Sequence, residues 1–117
     1  MAFRTDLDAM VLAALQVGPL HGYGIVRAIR ERSEGVFKLG EGQLYPILHR
    51  LEEDGQVVGD WEMQEGKPPR KVYAISEKGS ASLVNRRKEW TAFSKAVGNV
   101  MHEASVPRSP KEAKGNA

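Results

Sequence analysis

The chain contains no cysteine, so disulfide bonds and thiolate metal sites are excluded. It also has no long hydrophobic run, because the longest apolar stretch, residues 10–15, is far too short to span a bilayer. The first residues do not show the basic-then-apolar pattern of a signal peptide. Together these absences predict a soluble, cytoplasmic protein with no membrane partner.

A strong excess of charge of one sign is missing as well. The 17 Lys and Arg residues are nearly balanced by 15 Asp and Glu residues, which gives a formal net charge of +2. The 117 residues fit one domain with a modest core. Any surface that binds nucleic acid must therefore come from local clustering of cations rather than from the total charge.

Motifs of catalysis are also absent. The sequence has neither the G-x-S-x-G nucleophile motif nor the glycine-rich phosphate loop with its Lys-Ser/Thr ending. Its histidines, His21, His49 and His102, stand too far apart to form a paired metal-ligand motif. We therefore expect no enzyme activity, no metal and no cofactor.

Periodicity predicts three helices followed by a β-hairpin. Helices are expected at residues 6–17, 23–32 and 41–55, with Asp6 capping the first of them. Short strands are expected at residues 57–63 and 70–75, separated by the proline-rich loop 64–69. This order predicts a mainly α fold with a small β-hairpin (α+β), the winged helix-turn-helix, over residues 1–75.

The helix at 41–55 has two distinct faces. Leu44, Ile47, Leu48 and Leu51 follow the spacing of a buried stripe. The other face carries hydrogen-bonding and cationic groups, with its acids held at the far end, which suits insertion into a DNA groove. The residues that we expect to contact DNA from this helix are Gln43, Tyr45, His49 and Arg50.

Further candidate DNA contacts lie outside this helix. Lys67, Arg70 and Lys71 at the hairpin tip are suited to neutralising phosphates. Tyr23 opens the second helix, where it either contacts a phosphate or packs in the core, and Lys38 is a weaker candidate of the same kind. The competing interpretation is that all these side chains form ordinary solvated polar faces.

A fourth, longer helix is expected from Ser76, its N-cap, to about residue 101, giving a C-terminal dimerisation helix within residues 76–102. Its apolar residues follow steps of seven, three and four, close to a heptad seam, and predict a homodimer interface. They are Leu83, Trp90, Phe93, Val97 and Val100.

Trp90 could alternatively stack on a planar small-molecule effector. The run 86–88 (Arg-Arg-Lys) is interpreted as a solvated face rather than as a second DNA site, and residues 103–117 as a disordered tail.

Three segments resemble the PadR family of transcriptional regulators: LAALQVGPLHGYGIVRAI from residue 12, EGQLYPILHRLEEDG from residue 41 and RKVYAISEKG from residue 70. The resemblance covers roughly residues 7–101. It implies a repressor with a winged-helix domain and a dimerising C-terminal helix, which binds an inverted-repeat operator. By position it places Tyr23, Leu44, Tyr45 and Arg50 on DNA-facing motifs. It places Lys67, Arg70 and Lys71 on the wing, which is the β-hairpin expected within residues 57–75.

Two departures from the family pattern stand out. Gln43 occupies a position where a small hydroxyl residue is common, and Val72-Tyr73 replaces a pair of aromatics. The function predicted is a sequence-specific, homodimeric repressor that binds double-stranded DNA. The alternatives are a winged-helix module for protein interaction and a sensor that binds a small-molecule effector near Trp90.

Overall fold

The computed structural model describes residues 6–102, which form four α-helices and one three-stranded sheet. The helices are α1 (Leu7–Leu15), α2 (Gly22–Arg32), α3 (Glu41–Glu53) and α4 (Glu77–Met101). The strands are β1 (Leu20–His21), β2 (Val57–Gln64) and β3 (Lys67–Ile75). The predicted α+β winged-helix architecture is confirmed, while the tail predicted for residues 103–117 lies outside the described residues.

The helix starts follow the predicted capping chemistry. Asp6 caps α1 by accepting a hydrogen bond from the backbone N–H of Ala9 at 3.0 Å. Ser76 caps α4 in the same way, since its Oγ accepts from the N–H of Gly79 at 3.1 Å. The Ser76 hydroxyl also donates to the carbonyl of Gly55 at 2.6 Å, which joins the start of α4 to the end of α3.

The core lies between the first three helices and the inner face of the sheet. The apolar stripe of α3 is buried as predicted, with Leu44 and Leu48 fully inaccessible to solvent. They pack in one cluster with the fully buried Leu12 and Ile25 and with Val57, from α1, α2 and β2. Burial of this stripe fixes which side of α3 remains exposed.

The sheet has the strand order β1-β3-β2, and both neighbouring pairs are antiparallel. Sequence periodicity did not predict β1, because two residues are too short to show an alternating pattern. Leu20 and His21 pair with Tyr73 and Val72 of β3, and α2 begins directly after them. This short strand therefore anchors the start of α2 against the hairpin.

The hairpin is longer than predicted, and the expected loop at 64–69 was wrong. β2 and β3 are joined by a two-residue turn, Glu65-Gly66, with Gly66 at φ +70°. Pro68 and Pro69 lie within β3. They are tolerated because β1 pairs only with Tyr73 and Val72, which leaves one side of β3 open here, and because the register with β2 shifts between Glu62 and Gln64, opposite the prolines.

The fourth helix packs on the domain only through its beginning. Gly79 and Leu83 are its buried residues, and none of the residues 84–102 is buried in this protomer. Leu83 is 3% exposed and belongs to the core cluster, so its assignment to the dimer interface was wrong. No helix of the described residues is long and apolar enough to cross a membrane.

Candidate nucleic-acid interface

Of the α3 residues predicted to contact DNA, the polar ones are exposed and the one apolar residue is not. Tyr45 is 47% exposed, and Gln43, His49 and Arg50 are exposed as well. Leu44 has no exposed surface, so its placement among the DNA-contacting residues was wrong. The same apolar spacing that predicts its burial turns its side chain away from any ligand outside the protein.

Tyr45 lies against the start of α2. A Cβ atom at Gly22 would be 3.0 Å from Tyr45 Oη and 3.3 Å from its Cζ, so the glycine leaves the space that the ring occupies. The phenol is thereby held between the exposed side of α3 and the first residue of α2. Tyr23, the next residue of α2, is 52% exposed, which excludes the interpretation that its ring is wholly in the core.

Gln43 contributes to the structure of the helix start. Its side-chain Oε1 accepts a hydrogen bond from the backbone N–H of Gly40, the N-cap residue of α3, at 3.3 Å. A glutamine that pairs with adenine in bidentate fashion needs both its oxygen and its amide N–H groups. In this arrangement the oxygen is engaged, and the amide N–H groups are the part of Gln43 offered to a ligand.

Arg50 is held by a carboxylate on α1. Its Nη2 lies 2.8 Å from Asp8 Oδ1, and Asp8 Oδ2 lies 3.8 Å from Nη2 of Arg86 on α4. Arg86 also donates from Nη1 to Asp6 Oδ1 at 2.7 Å. This chain of charges connects α3, α1 and α4, and it corrects the interpretation of Arg86 as part of a solvated face.

His49 is exposed on α3 and has an acidic neighbour one turn further on. Its Nε2 lies 3.2 Å from Glu53 Oε1, an ion pair when the imidazole is protonated. Both side chains are more than two-thirds exposed, so water screens the interaction. The ring is available to a ligand on the same side of α3 as Tyr45.

Lys71 connects the wing to α3, so its predicted position at the hairpin tip was wrong. Its Nζ donates to Glu52 Oε1 at 2.9 Å, and this hydrogen bond raises the lysine pKa. A Cβ atom at Gly59 would lie 2.8 Å from Glu52 Oε2 and would collide with the Lys71 stem, so the glycine leaves room for the pair. The Lys71 Nζ also lies 5.4 Å from the Tyr73 ring centroid, and burial raises the pKa of that tyrosine.

The other cations of the wing differ in their partners. Arg70 forms a two-pronged contact with Glu62 Oε1, at 3.1 Å from Nε and 2.9 Å from Nη2. Lys67 directly follows the turn, is exposed and has no carboxylate partner within residues 6–102. Lys38 is also exposed, two residues before the Gly40 cap of α3.

A cleft of about 380 Å³ separates α3 from the wing. Its walls present hydroxyl, imidazole and ammonium groups as well as one carboxylate. The residues that line it are Tyr45, Pro46, His49, Glu52, Lys71 and Tyr73. The structure therefore brings Tyr45, His49 and Lys71 together at one place, while Arg50 and Gln43 lie on the side of α3 that faces α1.

The predicted dimer seam is solvent-accessible in the protomer. Trp90 is 48% and Val100 86% exposed, while Phe93 and Val97 are partly covered, with the Trp90 and Phe93 ring centroids 6.0 Å apart. A largely apolar cavity of about 320 Å³ lies between α1 and α4 and includes Phe37, Leu83 and Trp90 in its walls. Its use by a small-molecule effector stays a prediction.

Comparison with known proteins gives consistent results. The family model described as the transcriptional regulator PadR-like family matches residues 11–85. The transcriptional regulator Rv3488 of Mycobacterium tuberculosis is 34% identical over 76 residues, which are 64% of this chain and 70% of that protein.

Solved structures share the fold. A PadR family transcriptional regulator from Eggerthella lenta superposes with a TM-score of 0.73 and 26% identity, over 84% of this chain and 83% of that one. Bacillus subtilis PadR, solved in complex with operator DNA, superposes with a TM-score of 0.62 over 94% of this chain and 56% of that one. At 21% identity this second likeness concerns the fold alone.

Proposed function

The chain belongs to the PadR-like family of transcriptional regulators, and we propose that it is a homodimeric repressor that binds an inverted-repeat operator through α3 and the wing. The observation that carries this proposal is the position of the wing beside the exposed side of α3. The two elements are joined by the Lys71–Glu52 pair and separated by the cleft of about 380 Å³.

A helix with a hairpin beside it suits docking on duplex DNA. The major groove admits an α-helix, and a flanking hairpin then reaches the next minor groove across one phosphate backbone. The cleft between α3 and the wing is where that backbone would lie, facing Tyr45 and His49. Bacillus subtilis PadR, which shares the fold, was solved on operator DNA.

Each polar residue then has a separate role. We assign base contacts in the major groove to the amide N–H groups of Gln43 and to Arg50, which must exchange its Asp8 partner for a base, since arginine pairs with guanine and amide groups pair with base-edge acceptors. Lys67 and Lys38, which pair with no carboxylate of residues 6–102, would contact phosphates, and the Tyr23 hydroxyl at the start of α2 would donate to the same backbone.

The exposed seam on α4 supports the proposed homodimer. Trp90, Phe93, Val97 and Val100 leave an apolar stripe that this protomer does not cover completely. Pairing of two such stripes would give a twofold axis and place two copies of α3 on successive major grooves, about 34–36 Å apart. An inverted-repeat operator has the same symmetry.

Titration of DNA from the regulator's own promoter region, by fluorescence anisotropy across a series of salt concentrations, tests the proposal. We expect tight binding that survives competitor DNA. Lys67→Ala should weaken binding and lower the slope of log affinity against log salt by about 0.9, because one phosphate contact is lost. Lys95→Ala is the matched control, since it removes an exposed lysine on α4, and it should leave the slope unchanged.

Two results would contradict the proposal. One is binding that is indifferent to sequence at every salt concentration, and the other is no binding at all. The second result would favour a protein-docking role for the winged helix. The pairing of Arg50, Arg70 and Lys71 with carboxylates, which lowers the net positive charge of this surface, is the observation in favour of that role.

A further inference from the structure

The wing carries a large exposed aromatic side chain. It takes part in none of the hydrogen bonds, ion pairs or ring contacts described above. Trp61 lies in β2 and is 69% exposed. The adjacent residues Glu62 and Asp60 point to the opposite face of the sheet, because side chains alternate along a strand. Exposure of an indole of this size leaves a substantial apolar area in water.

The strand register fixes which face of the sheet carries Trp61. Trp61 pairs directly with Lys71, so the two side chains lie on the same face. Lys71 extends from that face to Glu52 of α3, and the buried Val57 lies further along the same face. The indole therefore lies on the side of the wing that faces α3. It is outside the cleft between the two elements.

The side chains around Trp61 leave it accessible. Gly59, the preceding residue on this face, has no side chain, and Lys71 is directed back towards Glu52. The carboxylates of Asp60 and Glu62 are on the other face, where Glu62 pairs with Arg70. On β2, the face towards α3 thus presents an uncharged aromatic surface where the other face presents two acids.

We propose that Trp61 is a DNA-contacting residue of the wing, with its indole packed against sugar and base edges of the minor groove beside α3. This rests on the proposed function, because the duplex must lie across α3 and the wing. Apolar side chains packed in the minor groove bind through desolvation and shape. The indole N–H can in addition donate to the acceptors at the groove floor, A N3 or T O2.

This contact has a signature that separates it from those of the cations. Phosphate contacts release counterions and make affinity depend on salt, whereas an uncharged ring releases none. Trp61→Ala should therefore weaken operator binding by about tenfold or more at every salt concentration, without a change in the salt slope. Because the side chain is exposed in the free protein, the thermal unfolding midpoint should stay close to that of wild type.

Fluorescence provides a direct test, because the chain has only two tryptophans, Trp61 and Trp90. In full-length Trp90→Phe, operator DNA should quench and shift the emission of Trp61. In full-length Trp61→Phe, emission comes from Trp90 on α4, and the same DNA should change it much less. Light scattering on both variants, with and without DNA, tests whether each has the same assembly state as wild type.

The outcomes separate this inference from the proposed function. Failure of the wild-type protein to bind DNA would overturn both. Specific binding by wild type, with unchanged affinity in Trp61→Ala and unchanged Trp61 emission, would overturn the contact alone. Emission from Trp61 that changes with protein concentration rather than with DNA would assign the indole to contact with a second copy, and would also overturn it.

Discussion

Tyr45 and Gly22 show how a single missing side chain positions a functional group. The phenol occupies the space that a Cβ on Gly22 would enter, 3.0 Å from Oη. Gly22 is the first residue of α2, which follows strand β1 without a linker. The position of the Tyr45 hydroxyl beside the cleft therefore depends on the backbone at Gly22.

Gly22→Ala should weaken operator binding, because the added methyl displaces the Tyr45 ring. Gly24→Ala is the matched control, since its Cβ would meet only ordinary contacts, at 3.4 Å from Leu20 and 3.5 Å from His21. Alanine in a helix stabilises by about 0.5–1 kcal/mol over glycine, so Gly24→Ala should raise the free energy of unfolding and retain DNA affinity. Urea unfolding and anisotropy measure the two effects. Equal DNA affinity in both variants would contradict the role given to Tyr45.

Residues on α3 also show how far the sequence predicts a site. The periodicity predicted burial of Leu44 correctly, whereas position within the family motif assigned it to DNA. Gln43 was predicted as a polar residue at the helix start, but spacing alone could not show that its oxygen caps Gly40. Side-chain orientation depends on hydrogen bonds that only the folded backbone offers.

At the scale of elements, an ion pair joins the wing to α3 in addition to the core packing of Val57. Lys71 and Glu52 are both about one-third exposed and lie 2.9 Å apart, in the space that Gly59 leaves. While Lys71 is paired with Glu52, the positive charge of the lysine is largely cancelled at the cleft. The pair therefore stabilises the wing position at a cost in attraction for phosphates.

Glu52→Gln should raise non-specific DNA affinity and steepen its salt dependence by about one unit, because the carboxylate is removed and Lys71 becomes available to a phosphate. Glu77→Gln makes the same change of charge on an exposed residue of α4, and it should leave the salt slope unaltered. Anisotropy with a scrambled duplex measures both. A lower affinity in Glu52→Gln would show instead that the wing must be held in place for binding.

Local periodicity predicted all four helices, and it failed where the structure depends on distant partners. The two-residue β1 exists because β3 pairs with it, and the prolines of β3 are tolerated because they lie at an open edge and opposite a register shift in β2. The contact between Asp6 and Arg86 joins residues 80 positions apart. No short-range pattern could have predicted that Asp8 lies between Arg50 and Arg86.

The described part of the molecule is elongated, extending 73 Å along its longest axis and 27 and 23 Å across. Its core is formed by the winged-helix domain, while α4 has no buried residue after Leu83. At 25 residues, α4 is about 37 Å long. The Asp8 carboxylate contacts both Arg50 of α3 and Arg86 of α4, and so links the two helices. The orientation of α4 therefore affects the position of α3.

Val100→Asp should convert the proposed dimer into a monomer, because it places a carboxylate within the apolar seam of α4. Val100 is 86% exposed in the protomer, so its replacement should leave the winged-helix domain folded. Light scattering should give twice the chain mass of 12.9 kDa for wild type and the chain mass for the variant. Operator affinity should fall steeply, since two linked half-sites bind far more tightly than one.

Asn99→Asp is the matched control for this substitution. It introduces the same carboxylate one position earlier, and consecutive helical residues project about 100° apart, so the new charge lies away from the seam through Phe93, Val97 and Val100. This variant should remain dimeric and bind the operator like wild type. If both variants are monomers, the added charge rather than its position is responsible. If Val100→Asp remains dimeric, the subunits associate through another surface, and the spacing of half-sites expected from α4 no longer applies.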